Sequence, residues 1–75
     1  MRTIQLRDCA GTVLHSRNVP TARAPRIRYA RVAFPRGGYP RIVAMYGDHA
    51  TCARASSLRD QFCLPVIGGA VRLPF

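Results

Sequence analysis

Six prolines and six glycines divide this chain of 75 residues into short segments, and that punctuation limits what it can build. Proline breaks helices and central strands, and glycine marks turns. The one stretch with room for a helix of several turns runs from Asp48 to Leu64. The remaining segments are shorter and, by their alternation, read as strand or connection. A chain of this length hides only about 60–65% of its unfolded surface, so its core is small.

Within those segments the apolar residues alternate. Thr3 to Arg7 sets Ile4 and Leu6 on one face and Thr3, Gln5 and Arg7 on the other. Thr12 to Val19 is also strand-like, and Asp8-Cys9-Ala10-Gly11 suits a turn closed by a glycine with positive φ, so the pair predicts an N-terminal β-hairpin. Pro20 and Pro25 bracket a polar, extended connection. Arg26 to Phe34 predicts a strand with a fault, because Ile27 and Tyr29 share one parity and Val32 and Phe34 the other. One extra residue near Ala30, a β-bulge, returns all four to one face and gathers Arg26, Arg28 and Arg31 on the opposite one.

Pro35-Arg36-Gly37-Gly38-Tyr39-Pro40 is a turn by composition, and Arg41 to Tyr46 returns as a strand. Asp48 is placed to cap a helix running from about His49 to Cys63. Cys52, Ala55, Leu58 or Arg59, and Phe62 then form a thin apolar stripe. A shorter helix capped by Ser57 and Asp60, and starting at Leu58, is the alternative. Pro65 stops the helix, and Val66 to Leu73 predicts a last strand or a short hairpin across Gly68-Gly69. The expected fold class is α+β: a small antiparallel sheet of four to six strands with one helix packed on it. It forms one small basic domain over residues 1–75.

The charge is lopsided. Twelve basic residues, all Arg, face only Asp8, Asp48 and Asp60, for a net charge of +9. The absence of Lys follows from GC-rich coding, but the scarcity of acids does not. From Cys9 through Gly47 there is no acidic residue, while Arg17, Arg23, Arg26, Arg28, Arg31, Arg36 and Arg41 all fall there. Such a segment suits a polyanionic or acidic partner, because the guanidinium fork binds phosphate or carboxylate in a bidentate way. The residues expected to carry the contact are Arg26, Arg28, Arg31, Arg36 and Arg41, with Tyr39 stacking on a base or an apolar surface. The bland counterpart is a solvated polar face.

Catalytic alternatives are thin. His49-x-x-Cys52 could pair as base and nucleophile near a helix start. Cys9, His15, His49, Cys52 and Cys63 include metal-ligand types, but only one close pair exists where structural zinc normally uses two. No catalytic residue, metal or other cofactor is therefore expected. The scattered Asp residues do not form a carboxylate pair, and neither glycine pair has a nucleotide-loop spacing. Three cysteines without an apolar leader point to a reducing cytoplasm, and no apolar run approaches the ~18 residues that cross a membrane.

The expected function is non-enzymatic binding, by occupying nucleic acid or an acidic surface of a nucleic-acid-handling protein complex. In size and design the chain is similar to phage and mobile-element proteins that act as stoichiometric inhibitors, anti-CRISPR proteins among them. Those proteins share no motif, so no residue is carried over. A stand-alone DNA- or RNA-binding protein is the first alternative, and a small Cys/His enzyme or metal-site protein the second. The small core, sheet edges and apolar tail from Val71 to Phe75 also allow a homodimer.

Overall fold

The computed structural model describes residues 1–57 and 59–75. Its elements are β1 (Arg2–Arg7), β2 (Val13–Val19), a 3₁₀ turn (Ala24–Arg26), β3 (Tyr29–Ala33), β4 (Arg41–Tyr46), α1 (His49–Ala55), β5 (Gln61–Pro65) and β6 (Ala70–Arg72). The class is α+β, but the strands form two three-stranded sheets rather than one sheet of four to six. The orders are β2-β1-β6 and β4-β3-β5. Their inner faces share one core built from Ile4 and Leu6 of β1, Val19 of β2, Ala30 and Val32 of β3, Ile42 of β4, and Val71 and Leu73 at the C-terminal end.

The hairpin forms as its pattern requires. β1 and β2 are antiparallel, Ile4 and Leu6 are buried, and Gly11 takes φ 89° to close the turn. The Asp8 carboxylate accepts from the N–H groups of Ala10 and Thr12 at 3.0 and 2.9 Å, satisfying donors that a tight turn would otherwise expose. β6 departs from the antiparallel expectation, because it lies parallel to β1, pairing Gln5 with Ala70 and Arg7 with Arg72. The chain reaches that position by reversing across Gly68 and Gly69, whose φ of 60° and 76° bring Ile67 and Ala70 into an antiparallel bridge. Between Pro20 and Arg28 the expected extended connection instead turns and makes the 3₁₀ segment, with Pro25 near its start.

The helix is shorter than its stripe suggests. Asp48 caps it, accepting from the Thr51 N–H at 2.8 Å and the Thr51 hydroxyl at 2.9 Å, and these bonds hold its carboxyl below the usual value. At the other end, the Ser56 N–H and hydroxyl both donate to the Cys52 carbonyl, which competes with further helix. The alternative helix beginning at Leu58 starts outside the described residues. Gln61 onward is strand, pairing antiparallel with β3. Phe62 and Leu64 belong to a period of two, and a short window does not separate that from a helical stripe.

α1 lies against β3, β4 and β5. It covers the face of the second sheet away from the core. The Tyr29 ring meets His49 edge-on at 5.3 Å, and the Cys52 thiol lies beside Cys63.

The bulge is real but sits on the other strand. β3 runs in unbroken register with β5. Against β4 it shifts between Arg31 and Val32, which pair with Ala44 and Ile42, so Val43 is the extra residue. Ala30 and Val32 therefore face the core, and Tyr29 and Arg31 face the helix. Tyr29 has α1 to cover it, and that removes the need to rotate it inward.

Candidate polyanion-binding groove

The two sheets meet along the edges of β2 and β4, and side chains of β2 close the junction. His15 Nδ1 accepts from the Ile42 N–H at 3.2 Å. Arg17 Nη1 donates to the carbonyls of Ile42, at 3.4 Å, and Val43. An edge strand must satisfy its outward N–H and C=O groups or leave them to water. On β4 two side chains from the other sheet do this, beside the residue that the bulge inserts.

Outside that closure lie two shallow pockets of about 370 and 310 Å³ that adjoin at Arg17 and together form a groove along β4. Arg17 belongs to both pockets, Arg41 lies in the first and Arg23 in the second. His15, Ser16 and Asn18 supply further polar groups, and no acidic residue is among the described lining. From Arg41 to Met45 the groove follows β4 for roughly 13 Å at ~3.3 Å per residue. The arginines at either end and in the middle give it positive potential throughout.

The expected contact residues fall in three places. Arg36, Tyr39 and Arg41 come together on the β3–β4 connection, where Gly37 takes φ 70° and the Gly38 N–H donates to the Pro35 carbonyl at 3.1 Å. Tyr39 is 85% exposed there, and Arg41 opens the groove. Arg26 and Arg28 are exposed at the opposite end of β3, where the Arg28 N–H donates to the Tyr46 carbonyl at 3.0 Å. Arg31 stands between these groups on the helix side. It is half-buried, and its Nη1 donates to the Gln61 side chain at 3.1 Å. The bulge on β4 thus separates the three arginines that a bulge on β3 would have aligned. Arg17 and Arg23 belong to the groove although neither stands out in sequence; their tie to Arg41 is made only by the meeting of β2 and β4.

The groups considered for catalysis are placed as follows. Cys52 is fully buried, and His49 rests on Tyr29. Burial and the neighbouring Cys52 thiol push the Cys63 thiol up to about 12, which disfavours the reactive thiolate. Cys9 is exposed in the hairpin turn, and His15 is engaged with β4. Among the described residues no three His, Cys, Asp or Glu side chains gather at metal-binding range. No described helix is long and apolar enough to cross a membrane. Comparison with protein-family models, with curated proteins and with solved structures returned no match.

Proposed function

We propose that this chain is a non-enzymatic basic binding protein that acts by occupying a polyanion. Nucleic acid is the first choice, and an acidic surface of a nucleic-acid-handling complex the second. The reading rests on the two adjoining pockets along β2 and β4, which Arg17, Arg23 and Arg41 line with no acid among the described lining residues. Arg36 and Tyr39 extend that surface, adding a cation and an exposed ring on which a base can stack. Arg26, Arg28 and Arg31 add to the positive field without lining the groove.

Binding of labelled single- and double-stranded oligonucleotides, followed by anisotropy across a salt series, tests the reading. Three phosphate contacts on duplex DNA imply a fall of log affinity with log salt near −2.7. Arg41→Gln and Arg23→Gln should each flatten that slope by about one contact's worth, ~0.9. Absence of binding at ~100 mM salt would remove the nucleic-acid form. The acidic-protein form, which includes a stoichiometric inhibitor of phage or mobile-element type, then predicts a nuclease-resistant partner in a pull-down.

Self-association is a finer part of the proposal. Phe62 and Phe75, 46% and 61% exposed, both pack on Phe34, with ring centroids 5.3 and 5.4 Å from it. A monomeric mass by light scattering at the concentrations used for binding would remove it.

A further inference from the structure

A second cationic site lies on the outer face of the first sheet, away from the groove. The parallel register of β1 and β6 pairs Gln5 with Ala70 and Arg7 with Arg72, so these side chains form two rungs on one face. They floor a cleft of about 480 Å³, walled by Pro65, Ile67 and the Gly68-Gly69 turn. Small-molecule sites commonly span about 300–1,000 Å³.

Three observations set this cleft apart from ordinary basic surface. Like charges on directly paired strand positions repel, yet Arg7 and Arg72 occupy such a pair with no acid among the described lining residues. Arg7 is half-buried and oriented: its Nε and Nη2 both donate to Gln5 Oε1, at 3.2 and 2.6 Å. A neutral amide oxygen fixes the guanidinium plane but leaves its charge uncompensated. The walls, finally, are low and apolar. Two glycines make the turn without side chains, and Ile67 is 75% exposed at the lip.

We propose that this cleft binds a phosphate monoester, with its oxygens between the Arg7 and Arg72 guanidiniums and its organic group against Ile67 and Pro65. A monoester carries about −1.5 to −2 charges at neutral pH, which the two guanidinium charges lining the cleft match and a carboxylate does not. The same headgroup occurs on free nucleotides and other small metabolites and at the phosphorylated end of an oligonucleotide. The site is independent of the β2–β4 groove.

Titration of the full ¹⁵N-labelled chain with phenyl phosphate, followed by ¹H–¹⁵N NMR, tests this, with benzoate as the carboxylate control. The expected result is saturable shifts centred on Gln5, Arg7 and residues 67–72, with benzoate weaker. Because Arg72 is exposed, Arg72→Gln should fold, and it should weaken phenyl phosphate by about tenfold or more, as loss of a charge-assisted bond implies. Arg72→Lys, which keeps the charge and loses the fork, should fall between. Arg17→Gln should leave phenyl phosphate binding unchanged, so failure here and failure of the groove are separable. AMP binding tighter than a 5′-phosphorylated oligonucleotide identifies a free metabolite; preference for that oligonucleotide over its 5′-hydroxyl twin identifies a strand end. Unchanged affinity in Arg72→Gln, shifts centred on β2 and β4, or no saturable change would overturn the assignment.

Discussion

The two sheets meet along two junctions, and arginine does opposite things at them. At the β2–β4 junction no connection joins the two edge strands themselves, because β2 leads past β4 into β3 through residues 20–28. His15 and Arg17 reach over instead and bond the backbone of Ile42 and Val43. At the β5–β6 junction the chain itself crosses through Gly68 and Gly69, and the arginines beside it hold nothing together across the sheets. Arg7 bonds Gln5 on its own strand, and Arg72 is simply its neighbour. The difference teaches how to sort a surplus of one residue type. Arg17 caps carbonyls and so serves the fold whatever else it binds, while the Arg7–Arg72 pair bonds nothing across the sheets among the described residues.

The largest expected effect tests whether the junctions join one cooperative unit. Leu6 of the first sheet and Val32 of the second are both fully buried in the shared core. Leu6→Ala should cost about 2–5 kcal/mol, as large-to-small core changes do, and Val32→Ala less because fewer methyl groups leave. Urea unfolding followed by far-UV circular dichroism and by tyrosine fluorescence should give one coincident transition in each variant. Separate transitions would mean that the sheets are held more loosely than a common core allows.

Local chemistry made much of this fold legible. The β1–β2 hairpin follows from strict alternation plus Asp8 and Gly11, and β4 matches its segment because proline and glycine bracket it. The Asp48 cap was legible for the same reason. Sequence and structure part where a remote partner decides the outcome. Phe62 and Cys63 read as the end of a helix until β3 is seen to need a second neighbour. β6 turns parallel because β1 offers it an edge, a fact invisible in residues 66–73. The parity fault in β3 is real and points to a bulge, but Tyr29 faces outward because α1 covers it, and the bulge falls in β4. The site divides the same way. Arg36, Tyr39 and Arg41 are close in sequence and close in space, whereas Arg17 meets Ile42 across 25 positions.

Between the junctions, the side-chain closure should be the more sensitive to a single atom. His15→Ala leaves the N–H of buried Ile42 without its acceptor, at a cost of about 1–3 kcal/mol. His15→Asn, which keeps a side-chain acceptor, should recover part of that loss in the same urea measurement. At the other junction Gly69→Ala forces a Cβ into the left-handed region at φ 76°, costing about 1–2 kcal/mol. The added Cβ would stand 3.6 Å from the Thr3 carbonyl, an ordinary contact, so backbone conformation rather than crowding sets the loss. A loss in Gly69→Ala that exceeds the His15→Ala loss would reverse the ranking of the two junctions.

The smallest effects carry the sharpest contrast, because the two arginines should differ in sign. Arg17→Gln removes donors to two carbonyls and should destabilise by about 0.5–1.5 kcal/mol, the net worth of a typical hydrogen bond. Arg72→Gln removes one partner of a directly paired like-charge couple and should stabilise by about 0.2–1 kcal/mol at low ionic strength. Salt separates the causes. The gain from Arg72→Gln is Coulombic between side chains at the surface, so it should shrink as the Debye length falls to ~3 Å near 1 M salt. The loss from Arg17→Gln is chiefly one of hydrogen bonding and should persist there. Phosphate in the buffer should also diminish the apparent gain if the β1–β6 cleft binds it, because ligand bound to the folded wild type adds stability that the variant cannot recover. A gain in Arg72→Gln that is the same in phosphate and in a bulky zwitterionic buffer would leave the repulsion intact and detach it from any anion site.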